Sequence, residues 1–193
     1  AVCKEEAKRQ MNSIPDFRGY LFDMGNALLD FHQGSSDTEK DRVGVMRLAR
    51  HLSDVYGLAI AQQYLEEEFL NPWLGDFPLR EQGRELDVSL YLNRALAPFG
   101  LELKPTQCLD AMRIWFSEYK NQVFVNSHAE KVLQALSERG KMVGIVSNCT
   151  LYGEIFGDVF ESVGLARYID HFSFSYSQGV RKPHAPLYEK GAT

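Results

Sequence analysis

The chain has 193 residues, 45 % hydrophobic and 24 % charged, the balance of an ordinary globular protein rather than a disordered or collagenous one. Lysine and arginine number 21 against 26 aspartates and glutamates, a net charge of −5, and no Lys/Arg-rich run occurs, which argues against nucleic-acid binding driven by counterion release. No apolar run approaches the roughly 18 to 20 residues that span a bilayer, and no signal-type apolar stretch follows the first residues, so the expected partner is a small molecule, not a nucleic acid or a membrane.

Residues 1–17 read as a polar lead-in. Arg18 to Asp23 reads as a short apolar strand ending on an acid, and Met24-Gly25-Asn26 as the turn after it. Residues 33–41 form a loop into a long helical region. From about 39 to 119 the apolar period is near 3.6, beginning with a stripe of Val43, Met46, Ala49, Leu52 and Val55 that stops at Gly57. A second helix is expected over 58–70, its Glu66-Glu67-Glu68 run forming a solvated face. A loop carrying Pro72, Trp73, Gly75 and Pro78 follows. Helices come next near 84–97 and 106–119, the latter with Thr106 as N-cap.

Beyond residue 125 the pattern changes. Ser127 and Glu130 have capping-box spacing, and the helix they open stops at Arg139-Gly140. Met142 to Val146 is apolar throughout, as in a strand buried on both faces, and Ser147-Asn148 ends it. A helix to about 164, a strand over 169–176, a loop over 178–183 and a helix from Ala185 complete the chain. Strands alternating with helices, around a helical block, define an α/β fold: a Rossmann-like parallel core of residues 1–32 and 126–193, with an α-helical cap, residues 33–125, inserted after the first strand.

The cysteines Cys3, Cys108 and Cys149 are scattered, odd in number and without a CxxC pair. That excludes a zinc ribbon or dithiol redox pair and suggests a reducing, cytoplasmic compartment. Cys149 reads as a packing cysteine rather than a reactive thiol.

In doubly wound sheets ligands bind at the carboxyl ends of the strands. Asp23 closes the first strand, Ser147 closes the second, and Lys182 follows the third in a Gly-x-x-Lys-Pro loop. Together they suit phosphoryl chemistry. Asp23 can attack phosphorus, Ser147 and nearby amides can hold the non-bridging oxygens, and Lys182 can neutralise the charge gathered there. Two anions must approach, so a hard cation such as Mg²⁺ is expected.

These segments carry a resemblance. Tyr20-Leu-Phe-Asp-Met-Gly-Asn-Ala-Leu-Leu-Asp30 resembles the first motif of the haloacid dehalogenase (HAD) superfamily, in its capped phosphatase branch with Asp-x-Gly-Asn. Val143-Gly-Ile-Val-Ser-Asn148 resembles the second motif, and Gly179-Val-Arg-Lys-Pro183 the third. The resemblance implies a Mg²⁺-dependent phosphatase of small phosphorylated metabolites, sugar phosphates among them, working through an aspartyl phosphate. It implies Asp23 as nucleophile and metal ligand, Gly25 as a metal ligand through its carbonyl, Ser147 with Asn148 as phosphate-binding residues, and Lys182 as the catalytic lysine.

Two departures stand out. Most phosphatases of the superfamily carry a second Asp, a general acid, where this chain has Gly25; Asp30 and His32 are the nearest titratable replacements, each also suited to a structural or hinge role. The fourth motif, an acidic pair completing the metal site, is expected beyond Thr193, which suggests a piece of a longer protein whose Asp23 strand has an open edge. The alternatives are a 2-haloacid dehalogenase, where the same aspartate attacks carbon without a metal, and a non-catalytic HAD-like binding protein. Trp73, Phe77 and Trp115 are candidate substrate-lining residues, or simply core of the cap.

Overall fold

Met142-Val-Gly-Ile-Val-Ser147 is uninterrupted by charge because the strand it forms lies between two others. In the computed structural model, which describes residues 17–83 and 85–191, β4 (Met142–Ser147) pairs in parallel with β1 (Gly19–Phe22) on one side and β5 (His171–Phe174) on the other. Phe22 stands opposite Ile145 and Ser147 opposite Phe174, so the carboxyl ends of all three strands come together. Helices α6 (Ala129–Glu138), α7 (Gly153–Ser162) and α9 (Ala185–Gly191) pack on this sheet. Among the described residues β1 forms one edge, with Leu21 and its neighbour Met142 exposed.

A second, two-stranded sheet was not foreseen. Leu29–Asp30 (β2) pairs antiparallel with Phe124–Val125 (β3), tying together the two crossings between the sheet and the helical segment. Two residues a side are too short to leave a period of two.

The helical segment runs from α1 (Asp37–Tyr56) to α5 (Pro105–Asn121), which pack along each other. Ser36 caps α1 in a capping box with Glu39, and Gly57 at φ 69° closes it. The buried face of α1 is not the expected stripe. Lys40, Gly44, Val45, Leu48 and Leu52 face inward, whereas Met46 and Val55 are exposed. The face turns because Gly44 receives the Trp115 backbone and indole, and the Lys40 ammonium is consumed by the carbonyls of Phe31 and Gln33 at 2.8 and 2.7 Å.

The expected helix over 58–70 is α2 (Gln62–Leu65) passing into a π-helical turn, Glu66–Leu70, and on into α3 (Asn71–Gly75). Pro72 stands two residues after the π-helical turn ends, and the path is not broken there. A 3₁₀ segment, Phe77–Gln82, leads to α4 (Val88–Leu96), capped by Asp87.

Three further expectations are corrected. Helix α5 begins at Pro105, one residue before Thr106, since proline's fixed φ suits the first helical position. The residue before α6 is His128, not Ser127, and its N–H is taken by the Asn126 side chain. The last strand ends at Phe174; Ser175–Gln178 turns into the short helix α8, drawn off the sheet where Ser175 bonds the chain at Cys149. Among the described residues no helix is long and apolar enough to cross a membrane.

A Cβ at Gly44 would lie 2.4 Å from the Trp115 carbonyl oxygen, a backbone atom that cannot swing aside. Gly44→Ala is therefore expected to cost about 1 to 3 kcal/mol by overpacking, despite alanine's better helix propensity. Denaturant unfolding measures it, and an unchanged or raised stability would contradict the close α1–α5 approach.

Candidate active site

The sheet register delivers Asp23 and Ser147 to the same edge. The Ser147 hydroxyl donates to Asp23 Oδ1 at 2.8 Å, and the Met24 N–H donates to the same oxygen at 2.8 Å. Asp23 Oδ2 faces the Lys182 ammonium at 2.5 Å. The Asp23 side chain is about half exposed, whereas Ser147 is buried. Both carboxylate oxygens are thus oriented by neighbours from different strands.

The turn after Asp23 is tightly wound. The Met24 carbonyl accepts from the N–H groups of Leu28 and Leu29, and Asn26 sits at φ 58°, a left-handed conformation that asparagine tolerates. Gly25 rides on this turn with no atom within 4 Å of where a Cβ would stand. Asn148 does not reach Asp23; its Oδ1 accepts from the Lys182 N–H at 2.7 Å and pins the lysine's loop.

The residues expected to hold Mg²⁺ fit it in part. Asp23 is a half-exposed carboxylate of the hard-oxygen kind that Mg²⁺ takes, its Oδ2 facing Lys182. Among the described residues no group of three or more His, Cys, Asp or Glu side chains is gathered.

A cavity of about 460 Å³ opens beside the site, with Met24, Gly25, Ser147 and Asn148 on the core side. Trp73, Phe77 and Trp115 face it from the helical segment, so they both line the cavity and form core. Trp73 stacks on Phe69 at 5.9 Å and meets Trp115 edge-on at 5.4 Å. His32 also lines it, its Nδ1 2.8 Å from Asp37 Oδ2. Asp30 is turned away: its carboxylate accepts from the Gln33 amide and the His32 N–H, which hold its pKa low, and it faces a separate cleft.

Burial pushes the Cys149 thiol up to about 11, as a packing residue's would be. Cys108 is likewise buried and free; Cys3 lies outside the described residues. The Glu66–Glu68 run faces solvent, with Gln62 and Gln63 bonded to Glu66 and Glu67.

Sequence reasoning missed a cluster just behind the site. Glu85 is almost wholly buried and pairs with both Arg80 and Arg181, drawing the helical segment onto the loop that carries Lys182. A glutamate between Gly83 and Leu86 carries no signal of a contact 96 residues away.

No family model and no curated protein matches the chain. Among solved structures it is similar to a HAD phosphatase from Thermococcus onnurineus, 18 % identical over 91 % of this chain and 70 % of that one, with a TM-score of 0.52. It is also similar to an L-2-haloacid dehalogenase from Xanthobacter autotrophicus with chloropropionic acid covalently bound, 18 % identical over 90 % of this chain and 62 % of that one, with a TM-score of 0.45. The chain has the haloacid dehalogenase-like fold: a Rossmann-like parallel sheet with a helical segment inserted after the first strand.

Asp41, in the cavity wall, accepts from the Tyr119 hydroxyl at 2.8 Å. Burial pushes its carboxyl above 3.8, the Tyr119 bond opposes that, and Asp37 adds to the rise. An acid whose pKa is raised by folding holds its proton better folded than unfolded, so stability is lost as pH climbs through 3.8 towards the folded value. Asp41→Asn keeps an acceptor for Tyr119 and removes the charge. Unfolding curves from pH 3 to 8 are expected to show the variant more stable than wild type at neutral pH, the gain vanishing at the acid end. Equal loss at every pH would contradict this.

Proposed function

We propose that the chain is a Mg²⁺-dependent hydrolase of small phosphate monoesters, sugar phosphates among them, acting through a phosphoryl intermediate on Asp23. The observation that carries this reading is the carboxylate itself, with Ser147 and an N–H on one oxygen and Lys182 on the other. In such a site the Ser147 hydroxyl and Lys182 hold the non-bridging phosphate oxygens, while Asp23 attacks phosphorus in line with the departing oxygen. The P–O bond to the leaving group breaks as the Asp23–P bond forms. Water then attacks phosphorus, the Asp23–P bond breaks, and phosphate leaves with the carboxylate restored. Magnesium, held by Asp23 and Gly25, would neutralise charge between the two anions.

The cavity suits a small ligand, its volume lying in the range of small-molecule sites of roughly 300 to 1,000 Å³. The buried free thiols Cys108 and Cys149 support a cytoplasmic setting.

Proton supply to the leaving oxygen falls to His32. It lines the same cavity as Gly25, and Asp37 orients its ring as a carboxylate orients a catalytic imidazole. By walling one side of the cavity, the helical segment would limit the water that reaches the bound ester.

A second reading, carbon-directed 2-haloacid dehalogenation, is favoured by Gly25, since displacing halide needs no proton donor there. Chloride release from 2-chloropropionate without metal would select it over phosphate ester hydrolysis.

The machinery reading predicts that p-nitrophenyl phosphate hydrolysis depends on added Mg²⁺ and disappears in Asp23→Asn. Lys182→Ala should lower kcat by about 10² to 10³, the scale of one lost charge-stabilising group. Full activity in Asp23→Asn would end the proposal.

The proton-donor reading is tested by the leaving group. His32→Asn should slow alkyl phosphates by about 10² while sparing p-nitrophenyl phosphate, whose leaving oxygen is a stable anion. Gly25→Asp, for which there is open space, should restore the alkyl rate in that background. Equal slowing of both esters would remove His32 from the role.

A further inference from the structure

Glu85 belongs to the helical segment, yet two of its partners, Ser175 and Arg181, belong to the stretch after β5. Its side chain is 3 % exposed. Oε1 accepts from Arg181 Nη1 at 2.7 Å and from the Ser175 hydroxyl, and Oε2 accepts from Arg80 Nε at 2.8 Å. Arg80 Nη2 continues to the Cys149 carbonyl at 2.9 Å, and Ser175 Oγ accepts from the Cys149 N–H at 2.9 Å. The Arg181 N–H is held by the Gly83 carbonyl at 3.2 Å. One carboxylate therefore holds the 3₁₀ turn and the stretch after β5 directly, and through Arg80 and Ser175 the loop after β4.

Both sheet loops are those of the site. Cys149 follows Ser147-Asn148, and Arg181 precedes Lys182, whose N–H closes the figure on Asn148. We propose that Glu85 is the positioning residue that fixes the Lys182 loop against the Ser147–Cys149 loop and so sets where the ammonium stands over Asp23. The kinetic part rests on the hydrolase reading above; the structural part does not.

The physical case is the cost of burying charge. A carboxylate and two guanidinium groups removed from water are a poor way to join two elements, because apolar contacts of equal volume do so at less expense. What the ionic cluster adds is direction: five hydrogen bonds of fixed geometry, three to Glu85 and two to Cys149, that admit one arrangement of the two loops. Side chains on loops need such support, since a displacement near 1 Å at a catalytic group costs about 10²-fold in rate.

Two measurements on the full chain test it. The first is alkylation of Cys149 by iodoacetamide in a Cys3→Ser/Cys108→Ser background, which reads the loop without any reaction being catalysed. Glu85→Gln and Ser175→Ala, each retaining the wild-type circular dichroism, should raise the labelling rate at least about tenfold, since local opening exposes Cys149. Unchanged labelling in both would overturn the clamp.

The second is a double-mutant cycle on p-nitrophenyl phosphate. Glu85→Gln should lower kcat about 10- to 100-fold with a smaller change in KM, but less than about threefold further in the Lys182→Ala background, because both act at one group. Additive losses would overturn the action through Lys182. If Glu85→Gln does not fold, Ser175→Ala, which removes one arm of the clamp, carries both measurements. If the wild type hydrolyses no phosphate ester while labelling rises as stated, the hydrolase reading falls and the clamp stands.

Discussion

Parallel pairing of β1, β4 and β5 is the constraint on which the rest of the molecule hangs. Parallel strands place all their carboxyl ends on one side, and the loops leaving them must meet there. With Phe22 level with Ile145, Asp23 emerges beside Ser147, and the 2.8 Å bond between them follows from register rather than from any local sequence preference. The loop after β5 then has only to fold back for Lys182 to stand over the carboxylate. No single one of these residues makes a site; the sheet does.

The helical segment answers a second need. An exposed carboxylate and ammonium would be a solvated ion pair of small energetic worth. The segment supplies an aromatic wall of Trp73, Phe77 and Trp115 facing Gly25 and Ser147, and β2–β3 ties its two ends at the boundary. Glu85, from the same segment, reaches behind the site to both loops. The insertion is thus joined to the sheet by two short strands, by a cavity wall and by one buried ionic cluster.

The core was legible because its signals are local. An apolar run ending on Asp23, another ending on Ser147, and Gly179-x-x-Lys-Pro183 each state their own place, and the fold puts Asp23, Ser147 and Lys182 in contact. Asn148 also holds the lysine's backbone N–H, a contact that composition does not record. The helical segment was legible as helix but not as packing. Its period gave a face of α1 that is buried at Leu52 but exposed at Met46 and Val55, because Lys40 and Gly44 defy the rule that apolar residues point inward: one satisfies carbonyls, the other admits a tryptophan. Glu85 was invisible, since Ser175 and Arg181 lie far along the chain and only the folded structure brings them to it. Short pairings such as β2–β3 are lost for the simpler reason that two residues have no period.

The proposed hydrolysis requires that Asp23 become covalently phosphorylated during turnover. Acid quenching of the protein mixed with acetyl phosphate and Mg²⁺, followed by mass spectrometry of the peptide carrying Asp23, reads this directly. The account predicts a phosphoryl adduct on Asp23 that forms within the first turnover, decays as substrate is exhausted, and is absent in Asp23→Asn. Hydrolysis at an unchanged rate with no adduct on that peptide, or with the adduct on another residue, would contradict it.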